Sequence, residues 1–218
     1  VEQENKRTAE RKSLQEQIKP HFLYNTLDTI SWMARDYDAE DIVRLVDALT
    51  NMFRIGLSHG KDIITVKEEI THVSNYLYIQ KIRYKDKLNY VIHVDESLYA
   101  VEVPKLILQP LVENAILHGL EQREKPGTIR IGAWTAGDRL TIEVTDDGQG
   151  MTEEELAQLR SALYAPSPAE ERRGIGLRNL YMRLRLLYDE TAQLTFDSEE
   201  GIGTVVQIVI PMERRCGP

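Results

Sequence analysis

A single cysteine, Cys216, stands in 218 residues. No internal disulfide can form, and the chain suits a reducing compartment. No apolar run approaches the roughly 20 residues needed to span a bilayer, and no signal peptide opens the sequence, so the chain as it stands is expected to be soluble. Internal repeats and low-complexity segments are also missing. Cationic charge is in deficit: 27 Lys and Arg against 35 Asp and Glu leave a net charge of -8, which argues against nucleic acid as a partner. A phosphate-bearing ligand would therefore depend on backbone amides, local basic groups and a metal ion. His59, His72 and His93 have no carboxylate or cysteine set at metal-ligand spacing and read as ordinary surface or core residues. The length suffices for one large or two small domains. The first residue is valine and the opening already has a helical pattern, as expected of a piece cut from a longer protein.

What is present begins with residues 1 to 13, which mix both charge signs among strong helix formers, as in a solvated helix or the tail of a coiled coil. From Leu14 the apolar spacing tightens to three and four, through Ile18 and Phe22 and then Leu23, Leu27, Ile30, Met33 and Ala34. Helix is predicted from about residue 3 to 35. Pro20 falls inside that run, where proline costs about 3 kcal/mol by removing a donor and crowding the previous turn. A local bend there would expose His21, whose helical face also carries Asn25 and Asp28. A helix end or a satisfied core histidine would leave the same trace. After Asp36-Tyr37-Asp38, which offers a capping residue, a second helix is predicted over about 39 to 57, with Ile42, Leu45, Val46, Leu49, Met52 and Phe53 on one side. Two such helices cannot bury both faces alone, which predicts a homodimeric four-helix bundle.

Thr65-Val66-Lys67-Glu68 is a capping box that opens a third helix running to about Tyr84. Beyond it the pattern alternates. Strands are expected at 88–94, 128–135 and 139–145, the last two around Ala136-Gly137-Asp138, and at about 193–197 and 204–210. Helices are expected from Pro104 through Gly119, after Thr152, and from Gly176 to Tyr188. The fold class is thus α+β: an N-terminal helical hairpin followed by an α/β sandwich. The expected segments are 1–60 for the hairpin, 61–86 for a connecting helix, 87–213 for the sandwich and 214–218 for a tail.

Three motifs in the second half carry chemistry. In Leu108-Gln109-Pro110-Leu111-Val112-Glu113-Asn114-Ala115-Ile116-Leu117-His118-Gly119, the polar residues Glu113, Asn114 and His118 interrupt an apolar helix, with Asn114 and His118 one turn apart. A plain surface face would look alike. Asp146-Asp147-Gly148-Gln149-Gly150 ends a strand with an acid that can accept from an exocyclic amine, followed by glycines that admit close backbone approach. A hairpin turn explains Asp147-Gly148 equally well. Arg172-Arg173-Gly174-Ile175-Gly176-Leu177 leads glycines into a helix N-terminus, whose free amides and dipole suit phosphate. It lacks the lysine and hydroxyl residue of a Walker A loop, and a glycine-bearing helix start is the alternative.

In that order, the three motifs resemble the ATP-binding domain of the superfamily that contains gyrase, the Hsp90 chaperone, histidine kinases and MutL. Leu14 to Leu27, with proline before His21 and Phe22-Leu23-Tyr24-Asn25-Thr26-Leu27 after it, resembles the phosphoacceptor box of sensor histidine kinases of the LytS/YesM-like subgroup. Tyr76 to Tyr84 also looks like this subgroup. The resemblance implies a Bergerat-type ATP site. In it Asn114 holds Mg2+ against the ATP phosphates, Asp146 reads the adenine amino group, and Gly148 and Gly150 shape the adenine loop. Gly174 and Gly176 wrap the phosphates, Thr204 supports adenine beside Asp146, and His118 and Leu177 complete the nucleotide contacts. Residues between Met151 and Arg173 would form a lid.

It further implies that His21 is the phosphoacceptor, that a response regulator receiver domain takes the phosphoryl group, and that transmembrane sensing segments precede this piece in a bacterial membrane protein. Asn25 matches an offset used in related kinases for dephosphorylating the partner regulator; packing within the bundle is the alternative. Three positions depart from common patterns. Phe22 stands where many kinases place an acid, leaving Glu113 or Glu16 as the base. Leu117 replaces a frequent lysine, and Asp147 replaces a commoner asparagine. The expected function is an ATP-dependent protein histidine kinase; the alternative is a nucleotide-binding signalling scaffold or a phosphatase-biased sensor with little autokinase activity.

Overall fold

A computed structural model of the chain describes residues 20–57, 62–121, 125–164 and 175–212. The chain divides into two compact units, Val1–Ser58 and His59–Pro218. The expectations for Leu14, Glu16, Ile18 and the helix upstream of Pro20, for Gly174 and the lid from residue 165 on, and for the tail lie outside the described residues.

In the first unit, α1 (Pro20–Asp36) and α2 (Glu40–Gly56) pack as an antiparallel hairpin. Leu27, Ser31 and Ala34 recur at spacings of four and three on α1 and are buried, as are Val43, Val46 and Thr50 on α2. Hydrogen bonds cross the pair, among them the Tyr24 hydroxyl donating to the Phe53 carbonyl (3.3 Å) and the Ser31 hydroxyl to Asp47 (3.3 Å). Ala39 rather than an acid occupies the cap of α2, with no side-chain cap bond. The connection turns through Asp38, whose φ is 53°. Part of the predicted apolar stripe is not used inside the hairpin, for Phe22 (73 % exposed), Ile30 and Met33 stand out, and so do Trp32 (71 %) and Tyr37 (82 %) beside it.

In the second unit a five-stranded sheet is formed by β2 (Leu88–Val94), β4 (Gly127–Ala136), β5 (Arg139–Asp146), β6 (Gln193–Glu199) and β7 (Gly203–Pro211), in the order β2-β4-β5-β7-β6. The β2–β4 pair is parallel and the others antiparallel. Alternate residues, among them Ile129, Ile131, Leu140, Ile142, Val144, Ile208 and Ile210, are buried on one face. Each such side chain contributes about 2 kcal/mol by leaving water. They meet helices α3 (Val66–Tyr84), α4 (Gln109–Asn114), α5 (Glu153–Tyr164) and α6 (Ile175–Tyr188) in one core.

Both expected capping boxes form. The Thr65 hydroxyl accepts from the Glu68 amide (3.2 Å) while Glu68 accepts from the Thr65 amide (2.8 Å), and Thr152 pairs with Glu155 in the same way. The expected connecting helix, α3, is packed into the second unit, where Val66, Val73 and Leu77 join its core.

Around Pro104 the structure departs from expectation. Pro104 does not start a helix; it ends a short strand, β3 (Glu102–Pro104), paired antiparallel with β1 (Ile63–Thr65). Helix α4 begins at Gln109, has no side-chain cap of its own, and passes into a π-helical turn over Ala115–Leu120. The missing cap is supplied from α3. Glu69, only 1 % exposed, accepts from the amides of Leu106 and Leu108, each at 2.8 Å. Burial raises the Glu69 pKa, opposed by these amide bonds. Leu106, held at φ 59°, is fixed from both ends, since the Arg183 guanidinium donates to its carbonyl (3.1 Å).

Removing the Glu69 carboxylate would leave two amides without an acceptor, whereas removing the Thr65 hydroxyl costs one exposed cap. Glu69→Ala is expected to destabilise the second unit by about 3 kcal/mol. Thr65→Ala should cost about 1 kcal/mol. Denaturant unfolding followed by circular dichroism checks the order, and equal midpoints for the two variants would contradict it.

Candidate functional site

The cleft lies within the second unit, between the end of β5, the inner face of β6 and β7, the α4–π segment, the loop after β5, and the first residues of α6. Its floor is apolar: Val144, Val206, Phe196, Leu111, Leu159 and Leu177. Polar groups enter from particular places, Asn114 and His118 from the α4–π segment, Asp146 from β5 and Thr204 from β7. An apolar slot with a few polar groups suits a flat heteroaromatic ligand.

Asp146 is the best-enclosed polar group of the cleft, 6 % exposed. It is the last residue of β5, and strand register puts it opposite Thr204. Its Oδ1 accepts from the Gly148 amide at 2.9 Å. Two glycines make room for it: a Cβ on Gly119 would lie 2.5 Å from Oδ1, and one on Gly148 would lie 2.4 Å from Oδ1 and 2.4 Å from the Gly119 Cα. The Gln149 amide donates to the Gly119 carbonyl (2.9 Å), tying the loop to the π turn. Gly150 adopts φ 67°, which favours glycine.

Asn114 holds a defined orientation, its Nδ2 donating to the Pro110 carbonyl at 2.6 Å. One of its two N–H donors is thereby used, and Oδ1, a hard oxygen, is the atom offered to a cation. Among the described residues no three His, Cys, Asp or Glu side chains converge as a metal site. A cation here would take Asn114 Oδ1 and complete its shell with ligand oxygens and water. That fits Mg2+ carried in with phosphates.

Beside Asp146, the Thr204 hydroxyl bonds that of Ser198 (2.9 Å), and Ser198 donates to the Gly203 carbonyl and accepts from the Met151 amide, both at 2.9 Å. With its proton committed to Ser198, Thr204 retains a lone pair. Gly119 and Ser198 were not expected. Gly119 follows His118 directly in the helical motif, so its position was readable; Ser198 depends on β6–β7 pairing and carried no local signal.

Other expected residues stand elsewhere. Glu113 is not on the cleft wall: its Oε1 accepts from Gln109 Nε2 (2.7 Å), one turn back along α4. One residue from Asn114 is about 100° around a helix, which turns the carboxylate to another side. Gly176 is exposed and is not among the residues lining the cleft, while the next residue, Leu177, is buried there. Asp147 directs Oδ1 to the Thr128 amide (2.7 Å) rather than to the cleft, and Leu117 is exposed outside it. In the first unit, His21 and Asn25 are both exposed, and Asn25 Nδ2 lies 3.2 Å from His21 Nδ1.

Comparison with known proteins accords with this arrangement. Residues 9–88 match the family described as histidine kinase, and residues 101–214 match the family described as histidine kinase-, DNA gyrase B-, and HSP90-like ATPase. The chain is 38 % identical to the sensor histidine kinase YesM of Bacillus subtilis over 93 % of its own length and 33 % of that protein. It is 36 % identical to the sensor protein LytS of Streptococcus mutans over 98 % of its length and 36 % of that protein. It thus spans about a third of these relatives. Among solved structures, the blue-light activated histidine kinase EL346 of Erythrobacter litoralis superposes with a TM-score of 0.51 at 18 % identity, covering 86 % of this chain and 59 % of that one. A nucleotide-free catalytic domain of histidine kinase ThkA gives 0.50 at 22 % identity, covering 70 % and 97 %. These two likenesses bear on the fold alone. The chain belongs to the histidine kinase family, its second unit being an ATPase domain of the gyrase B- and HSP90-like kind.

Proposed function

We propose that the chain is the kinase core of a two-component sensor, transferring the γ-phosphoryl group of ATP to His21 and from there to an aspartate of a response regulator receiver domain. The observation that carries this reading is the cleft, with a buried acceptor, Asp146, at one place and the Asn114 oxygen at another. Adenine fits the apolar slot with its exocyclic amine donating to Asp146 and Thr204 beside it, and the phosphates run toward Asn114 and the start of α6. When bound, Mg2+ supplies charge neutralisation on the phosphates. The chain's own part is to orient ATP, to exclude water with the apolar floor, and to present an imidazole.

Phosphoryl transfer is largely positioning and electrostatics. A ring nitrogen of His21 attacks the γ-phosphorus through its lone pair; the P–N bond forms, the bond to the bridging oxygen breaks, and ADP leaves with that electron pair. The second ring proton is then lost to solvent. Asn25 sits beside Nδ1 of His21 and can orient the imidazole: with the amide turned so that Oδ1 accepts from Nδ1–H, the lone pair is left on Nε2, free to attack. The exposure of His21 supports acceptor rather than core status. The exposed Phe22, Trp32 and Tyr37 support a homodimer through the N-terminal helices. Transmembrane sensing segments upstream complete the proposal, in keeping with relatives about three times as long.

Incubation with γ-labelled ATP and Mg2+ should place acid-labile, base-stable label on the chain, and none on His21→Gln or Asn114→Ala. Label persisting in His21→Gln would overturn the assignment, and nucleotide bound without label would favour a signalling scaffold. Gly119→Ala, whose new Cβ would displace the Asp146 carboxylate, is expected to weaken ADP binding about a hundredfold without loss of fold; calorimetric titration checks this.

A further inference from the structure

Helix α4 is poorly supported by its own sequence. Its α-helical part is six residues long, its cap residue Leu108 contributes no side-chain bond, Pro110 lacks an amide, and a π turn follows. Yet this turn carries Asn114, whose side chain is oriented by the Pro110 carbonyl of the same turn. Something outside α4 must hold it.

Part of that support is the Glu69 contact to the preceding amides. The rest is a chain of polar groups, buried at His72 and part-buried at Gln109 and Glu113, on the side of α4 that faces α3. His72, 3 % exposed, lies with Nε2 2.9 Å from Gln109 Oε1, and Gln109 Nε2 donates to Glu113 Oε1 at 2.7 Å. The amide orientation fixes the direction: Gln109 Oε1 accepts, so His72 Nε2 carries the proton. His72 Nδ1 is buried and has no hydrogen-bond partner among the described residues. A histidine that leaves one nitrogen unsatisfied in a core is kept at a cost, and the one bond it makes is to the first residue of α4.

We propose that His72 is a positioning residue for the nucleotide's cation: through Gln109 and Glu113 it fixes the turn of α4 that carries Asn114. It touches neither nucleotide nor metal. The relay runs along one side of α4 while Asn114 leaves the other, so it constrains the helix without entering the cleft. This rests on the reading of Asn114 as the cation ligand. It gives Glu113 a role away from the phosphates, as the end of the relay. It also makes cation affinity sensitive to the placement of α3, the first helix after the boundary between the two units.

The test separates metal-dependent from metal-independent binding. ADP affinity of the 218-residue chain is measured by calorimetry with Mg2+ and with EDTA. In His72→Leu the strengthening by Mg2+ should shrink roughly tenfold, as for loss of other outer-shell support. Metal-free ADP affinity should be retained, because Asp146 is untouched. His72→Gln, which can still donate to Gln109 Oε1, should restore most of the Mg2+ effect. Gln109→Met breaks the same bond from the other side and should match His72→Leu. An undiminished Mg2+ effect in folded His72→Leu would overturn the proposal. Equal loss of metal-free and Mg2+-dependent binding would too, as would failure of both His72→Leu and Gln109→Met to fold, since each makes the contact merely structural. Wild-type chain showing no Mg2+ effect would instead remove the cation reading of Asn114, and this inference with it.

Discussion

The second unit depends on one close approach, the Asp146 carboxylate set against Gly119 and Gly148 with no space for a Cβ on either. Three otherwise separate pieces converge there: the end of β5, the loop that follows it and the π turn after α4. Strand register delivers Asp146 opposite Thr204 and Ile129, in the middle of the sheet. The Gly148 amide then caps the carboxylate, and the Gln149 amide fastens the loop to Gly119. A buried carboxylate is costly unless its lone pairs are used. A buried carboxylate at the edge of an apolar slot is a matching acceptor for a heteroaromatic amine.

A second constraint governs the other end of the cleft. The residues from Lys105 to Leu108 are neither strand nor helix, and Leu106 sits in a backbone region that side chains disfavour. Glu69 and Arg183 hold this segment from α3 and α6, by its amides and by its carbonyl respectively. Burial lowers the Arg183 pKa, opposed by the charges of Glu69 and Asp62. The arrangement joins the buried Glu69 and the part-buried Arg183 through backbone groups rather than through a direct salt bridge. Such links specify one arrangement of the chain more than they add net stability.

Much of this was legible in the sequence where the signal is local. Strand 88–94 follows from alternation, the turn at Gly137 from hairpin chemistry, and the starts of α3 and α5 from capping boxes that form in full. The site residues Asn114, Asp146, Gly150, Leu177 and Thr204 meet at one cleft, as motif order led one to expect. The failures are tertiary. Pro104 reads as a helix start because its partner strand is only three residues long and 40 residues upstream. Glu113 reads as a candidate base beside Asn114; its carboxylate accepts from Gln109 and does not line the cleft. His72 reads as an ordinary surface or core residue and is buried; that its Nδ1 lacks a partner among the described residues has no linear signal. Phe22, Ile30 and Met33 share the apolar spacing of Leu27 and Ala34, and only packing separates the faces.

The central claim is that Asp146 makes this cleft an adenine site. Inosine diphosphate keeps the sugar and phosphates of ADP but presents a carbonyl where adenine presents its amino group, setting two acceptors against each other. Calorimetric comparison of the two ligands on the wild-type chain should show ADP bound at least about a hundredfold more tightly. Equal affinities would contradict the account.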